Sequence, residues 1–408
     1  MNTFRFIHTA DVHLGASFVN RDGAIRKRLI DSIRESFSRA VSIAIEERVH
    51  AFLVAGDLFD SPSPTVSDEL FVLGEIRRLA DADIQFLYAT GNHDPLAAGG
   101  AGRAIGWPPN AVLFDTAAPR RIEVSGEGTV VGAVTGAGHE NGAVGENLAA
   151  LFPRALGAIP EIALLHASVE GSVTAPDHAR YAPCASADFR GKGYVYWALG
   201  HIHKAEEMGA DPPARYPGSV FGRSRKETGP KGVLLVEAAP GLPPSIEFRP
   251  TAPMTWEEMD VDVSGIENVE ALRAKFLEEI EGRGFGPGTL LALFPSGESP
   301  LVDQVRNRSV REDLEGDLLL DSGIAHLSLR PDRIRGVFDA DSARVGPVET
   351  MLDLVEGLRS GRGSWDGIAP ETLAGFVSRN EEERGAYLRA LLEGAEADVV
   401  RRMWREDR

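Results

Sequence analysis

A single cysteine, Cys184, stands in 408 residues, so no internal disulfide can form, and that scarcity suits a reducing compartment. Long apolar runs are missing too. No stretch approaches the roughly 20 residues that a membrane-spanning helix needs, so no membrane association is expected. The N-terminus lacks a charged, then apolar, then small-residue pattern, which predicts no export signal and a cytoplasmic location. Basic residues are in deficit: 43 Lys and Arg against 61 Asp and Glu give a formal net charge of -18. A surface that holds nucleic-acid phosphates usually carries the opposite balance. The deficit is uneven, however. Residues 1–250 hold 24 basic and 29 acidic side chains, and the remainder 19 and 32. Most of the acidity therefore lies outside the chemistry-bearing part, which weakens a nucleic-acid reading without excluding it.

What the chain does have is a regular opening. Apolar strands over 4–7, 51–55 and 84–89 alternate with helices over 27–49 and 67–79, the first helix carrying Leu29, Ile33, Phe37 and Val41 at helical spacing. This order predicts parallel strands with helices packed on them. A Gly- and Pro-rich stretch over 94–119 reads as loop. Further strands are expected near 130–134, 162–165, 195–199, 233–236 and 246–248. Pro250 and Pro253 mark a boundary. Beyond it, 259–263, a helix over 269–280 and 290–293 form a second β-α-β unit, and the segment from about 347 is helical and charged. The expected division is 1–250, 251–340 and 341–408.

The residues that follow the strands carry the chemistry. Asp11-Val12-His13 follows the first, Gly56-Asp57 the second and Gly91-Asn92-His93-Asp94 the third; His166 and Gly200-His201-Ile202-His203 follow later ones. Carboxylate, amide carbonyl and imidazole are ligands for hard or borderline divalent ions. The ends of neighbouring parallel strands meet at one sheet edge. On an extended backbone, Asp-x-His and His-x-His would each put two side chains on one face. Each motif alone is as easily a turn or a surface pair; the ordered set at successive strand ends predicts a metal site.

These motifs, with Phe6-Ile7-His8-Thr9-Ala10 before the first, Leu58-Phe59-Asp60 after the second, Tyr196-Trp197-Ala198-Leu199 before the last and Tyr216-Pro217-Gly218-Ser219 beyond, resemble the calcineurin-like metallophosphoesterases. The likeness is closer to the Mre11/SbcD-type DNA repair nucleases, in their bacterial YhaO-like branch. The resemblance implies an α/β fold: an αββα sandwich of two mixed sheets flanked by helices, with a small α+β capping domain and a helical C-terminal tail. It implies two manganese ions, one held by Asp11, His13 and His203, the other by Asn92, His166 and His201, with Asp57 bridging. The ions would hold and activate the attacking water. His93 would not be a ligand but would face the scissile phosphate and assist the leaving oxygen. Asp94 would orient His93 or cap the following turn. The implied activity is hydrolysis of DNA from an end, with internal cutting as a further expectation. The same site on a nucleotide or phosphoprotein, and a scaffold without catalysis, are the alternatives.

The remaining polar residues read less sharply. Arg223, Arg225 and Lys226, with Lys231, are either a solvated face or a contact to substrate phosphates. His8 reads as a buried hydrogen-bonding residue and Cys184 as a packed small side chain. His139, His178 and His326 stay unassigned. By resemblance, the tail is either a dock for an SMC-like coiled-coil ATPase or a helix pair packed on its own domain, and the helices near 67–80 would form a homodimer.

Overall fold

The computed structural model describes residues 3–18, 23–95, 106–172, 179–337 and 347–360, with 362, 390 and 392. Strands β1 (Phe4–Thr9), β2 (Ala51–Ala55), β3 (Gln85–Ala89) and β4 (Ala111–Phe114) run parallel in that order, with helices α1 (Gly23–Glu46) and α2 (Val66–Asp81) in the first two connections. Buried Leu29, Ile33, Phe37 and Val41 give α1 one apolar face, and the Phe37 ring meets Phe52 of β2 edge-on at 5.7 Å. At the start of α2, Thr65 accepts from Asp68 N at 3.2 Å and donates to Asp68 Oδ2 at 2.6 Å, which fixes where the helix begins.

The second sheet holds β5 (Arg120–Gly126), β6 (Thr129–Ala137), β7 (Glu161–His166), β8 (Tyr196–Gly200), β9 (Glu206–Ala210) and β10 (Pro213–Tyr216), in the order β5-β6-β7-β8-β10-β9. Its middle strands β6, β7 and β8 are parallel. The hairpin β11 (Gly232–Ala238) and β12 (Ser245–Pro250) then returns to the first sheet, antiparallel beside β1. Between the sheets, Phe4, Phe6, Leu53 and Leu87 pack on Val134, Ile162, Leu164 and Tyr196. Each such buried side chain contributes about 1.5–3 kcal/mol. On the outer face of the second sheet, Leu165, Trp197 and Leu199 pack on Leu148 and Ala149 of α3 (Leu148–Leu151). The layers are therefore helix, sheet, sheet, helix, with both sheets mixed.

The chain divides into two compact units, the first comprising Met1–Glu257 with Gly288–Leu290, and the second Glu258–Pro287 with the rest from Leu291. Strand β13 (Thr255–Asp262) leads from one to the other. The second unit goes on with α4 (Val269–Gly282), β14 (Thr289–Glu298), α5 (Val302–Arg306), α6 (Arg308–Ser322), β15 (His326–Leu329), β16 (Arg333–Arg335) and α7 (Pro347–Arg359). Its core sets Leu272, Phe276 and Ile280 of α4 and Leu314 and Leu318 of α6 against Met259, Val261, Leu291 and Leu293. Of the expected helical tail, α7 is described; most of the residues beyond 360 lie outside the described residues, as does His178. Among the described residues no helix is long and apolar enough to cross a membrane.

The stretch expected as loop over 94–119 contains β4, and β5, β9 and β10 were not anticipated from the sequence pattern.

Candidate metal centre

Because β1, β2 and β3 are parallel, their C-terminal ends bring Asp11, Asp57 and Asn92 to one edge. In the second sheet, His166 is the last residue of β7 and pairs with Gly200 of β8, so His201 and His203 leave at the same level. The backbone there is not the extended chain expected from the Asp-x-His pattern. Asp11 and His13 have φ of 51° and 52°, Asp57 52° and His201 110°. Left-handed backbone at three non-glycine residues in a row of short loops is costly, of order 1–3 kcal/mol each, and such strain gathers at functional sites. It is these sharp turns, rather than strand alternation, that aim the side chains inward. Tight approach explains two glycines. A Cβ at Gly56 (φ +89°) would stand 2.1 Å from His166 Nδ1, and one at Gly91 would stand 2.2 Å from Asp57 Oδ1.

The donor atoms converge. His13 Nε2 lies 3.1 Å from His203 Nε2, and His203 Nε2 lies 3.9 Å from Asp11 Oδ1. Asp57 Oδ2 stands between two imidazoles, 3.8 Å from His13 Nε2 and 3.5 Å from His166 Nε2. Asn92 Oδ1 is 3.0 Å from His166 Nε2. Among the described residues, three groups of His and Asp donors are close enough to share an ion: Asp11, His13 and His203; Asp11, Asp57 and His166; and His13, Asp57 and His93. His201 belongs to none of them. Its ring lies edge-on to His166 at 5.3 Å and its Nε2 hydrogen-bonds Ala179 O at 2.9 Å, so an ion would have to be met through Nδ1.

Electrostatics indicate what this pocket accepts. Asp11 and Asp57 are 1 % and 2 % exposed. Burial pushes both carboxyls above the usual range, and for Asp11 the neighbouring Asp57 charge adds to it. Burial likewise holds His13 and His166 well below the usual imidazole value, so both rings are neutral. His203 directs Nδ1 to Glu227 Oε1 at 3.1 Å, a carboxylate acceptor, so its lone pair is on Nε2, facing His13. Desolvated anions beside converging lone pairs repel one another unless a cation sits among them. The residues fit a divalent metal.

Around the donors, His93 is 39 % exposed, donates from Nδ1 to Asp60 O at 3.0 Å and meets the His13 ring edge-on at 4.7 Å. Its backbone N–H donates to Asp57 Oδ1 at 2.9 Å. Asp94, expected to orient His93 or cap the following turn, makes its hydrogen bonds to groups other than the His93 ring. Its oxygens accept from Gly91 N at 2.7 Å and Phe59 N at 3.0 Å, tying two loops together, and the orienting contact to His93 comes from Asp60. Burial, then the Asp57 charge, push the Asp94 carboxyl up to about 6. Arg223 is turned inward onto Asp60 Oδ1 at 2.8 Å, Arg225 is half-buried and Lys226 exposed. Lys231 is buried and donates to His203 O at 2.8 Å, so it is no part of a basic surface. His139 donates from Nε2 to His166 O at 2.8 Å, a structural role. Asp60 and Glu227 are the site residues that sequence reasoning missed. Asp60 ends the Gly-Asp-Leu-Phe-Asp run, and Glu227 is the one acid in a basic stretch.

Residues 4–205 match the calcineurin-like phosphoesterase family model. That stretch is a calcineurin-like phosphoesterase domain. Calcineurin-like phosphoesterases hydrolyse phosphoester bonds, and the donor groups above match their need for divalent metal. The chain is 36 % identical over 271 residues to the uncharacterised metallophosphoesterase YhaO of Bacillus subtilis, an alignment covering 65 % of each chain, so the match spans a little under two thirds of that relative. It is 26 % identical to the DNA double-strand break repair protein Mre11 of Haloferax volcanii, over 97 % of this chain and 86 % of that one. A dimetal phosphatase from Danio rerio aligns with 60 % of this chain and 98 % of its own, at 11 % identity and a TM-score of 0.36.

Proposed function

We propose that this calcineurin-like phosphoesterase is a two-manganese phosphodiesterase that degrades DNA from an end and also cuts internally. The observation that carries the reading is the position of Asp57, within 3.8 Å of His13 Nε2 and 3.5 Å of His166 Nε2, between two sets of buried donors. Asp11, His13 and His203 would hold one ion and Asn92, His166 and His201 the other, with Asp57 available to both. When bound, the ions supply Lewis acidity and lower the pKa of an attacking water. The chain's own groups do the rest. Asp57 ties the His93 loop to the centre through the His93 N–H. Asp60 O accepts the hydrogen bond from His93 Nδ1–H, so Nε2 of the protonated ring is the nitrogen that would give a proton to the leaving oxygen. Asp94 braces the loop that carries it.

DNA as the substrate rests on the likeness to one break-repair protein, that of Haloferax volcanii, along 97 % of the chain at 26 % identity. Arg225 and Lys226 are the proposed phosphate contacts, residues 251–340 the proposed capping domain, and 341–408 a dock for an SMC-like ATPase. Exposed Met351 and Leu354 on α7 support the dock, and exposed Val66 and Leu70 on α2 support a homodimer. A cytoplasmic location is consistent with a lone, buried cysteine. The net charge of -18 favours a second reading, a small nucleotide or phosphoprotein substrate. Purified protein with manganese, given end-labelled duplex DNA and a chromogenic phosphodiester, separates the two. Release of label from DNA supports the first; cleavage of the small ester with intact DNA supports the second.

A further inference from the structure

The three imidazoles nearest the first ion position have Nδ1 neighbours that the ligand set does not explain. Two of them, His203 and His13, have Nδ1 beside a carboxylate oxygen, and the third, His93, has its Nδ1 on the main-chain carbonyl of Asp60. His203 Nδ1 meets Glu227 Oε1 at 3.1 Å; His93 Nδ1 donates to Asp60 O at 3.0 Å. His13 Nδ1 stands 3.1 Å from Asp60 Oδ1, off the line of a hydrogen bond and without another partner. Between the two acids lies Arg223. Its Nη1 binds Asp60 Oδ1 at 2.8 Å, its backbone N–H binds Glu227 Oε2 at 3.1 Å, and its Nη2 lies 3.4 and 3.5 Å from the two ring nitrogens of His203. Glu227 is further held by Ser219 Oγ at 3.3 Å.

We propose that Asp60, Arg223 and Glu227 form a charged belt that turns the Nε2 atoms of His13 and His203 toward the centre, with Arg223 as the positioning residue that holds the two acids in place and so also the Asp60 main-chain carbonyl that carries His93. Arg223 thus serves the metal and not the substrate's phosphates. The inference rests on the two-ion reading above. The chemistry is specific to arginine: a planar fork can bind Asp60 and lie against the His203 ring at once, whereas a lysine offers one point charge. Groups that hold the far nitrogen of a ligand imidazole fix its tautomer and orientation, and their loss typically costs 10–100-fold in metal affinity.

The test is calorimetric titration of manganese into the EDTA-stripped full chain, for wild type, Arg223→Gln and Arg223→Lys. Arg223→Gln is expected to weaken one of two manganese equivalents about 10–100-fold and to leave the other, on the Asn92 and His166 side, unchanged; Arg223→Lys recovers part of the loss. Glu227→Gln, which keeps the side-chain size, should reproduce it should Arg223→Gln melt early. If both Arg223 variants and Glu227→Gln bind manganese like wild type while DNA affinity falls, Arg223 is a phosphate contact and the belt is wrong. If wild type takes up two equivalents, the two-ion reading survives that outcome; uptake of none sinks both.

Discussion

At the scale of single residues, His93 separates chemistry from metal binding. His93→Ala is expected to lower turnover on DNA by roughly 10²–10⁴-fold with manganese content still two per chain; loss of an equivalent would make His93 a ligand, as its grouping with His13 and Asp57 permits. Gly91 is tested by volume. Its Cβ would stand 2.2 Å from Asp57 Oδ1, so Gly91→Ala should destabilise by about 1–3 kcal/mol in urea unfolding and weaken metal uptake. His8 gives a pH signature. It is fully buried, held by Tyr196 and Leu199 O, and burial lowers its pKa from 6.5 to about 3. Below pH 6.5 the unfolded chain takes up a proton at His8 that the native state refuses, so stability falls as pH drops from 6.5 towards 3. The slope from this residue is about 1.4 kcal/mol per pH unit. His8→Gln should flatten the loss between pH 6.5 and 4.5 in denaturant titrations; an unchanged slope would mean that His8 is not the proton acceptor.

At the scale of elements, the buried strands were legible, whereas three of the edge strands, β4, β5 and β9, were not. β1, β2, β3, β7 and β8 are apolar runs because both faces are covered, and a run of that kind is readable without a partner. β4, β5 and β9 are sheet edges. β9 reads Glu-Glu-Met-Gly-Ala and is half-exposed, so nothing in its composition separates it from a turn. The site was legible as a set of donor types at strand ends, but its geometry was not, since left-handed φ at Asp11, His13 and Asp57 leaves no mark in the pattern. Asp60 and Glu227 were hidden for a different reason: a carboxylate that backs an imidazole has no spacing rule. The α1 face can be tested directly. Phe37 is buried against Phe52, and Phe37→Ala should cost about 3–5 kcal/mol in urea unfolding; a loss below 1 kcal/mol would show that α1 can settle into the gap.

At the scale of the whole molecule, the donors come from both sheets: Asp11, Asp57 and Asn92 follow strands of the first, and His166, His201 and His203 those of the second. Bound ions would clasp the two layers. Manganese at a hundred times its dissociation constant should therefore add about 2.7 kcal/mol per site, and raise the melting temperature by roughly 5–10 °C over EDTA-treated protein. A midpoint indifferent to manganese in scanning calorimetry would contradict that linkage.

Gly288–Leu290 belong to the first unit although the residues on either side belong to the second, so the backbone passes between the units three times. Thr255 N is bonded to Gly288 O at 2.8 Å across that excursion. A recombination breakpoint anywhere from 258 to 287 would part these two residues into different parents. A chimaera with a foreign second unit is therefore expected to need its own match for Thr255 or to retain this chain's Gly288–Leu290.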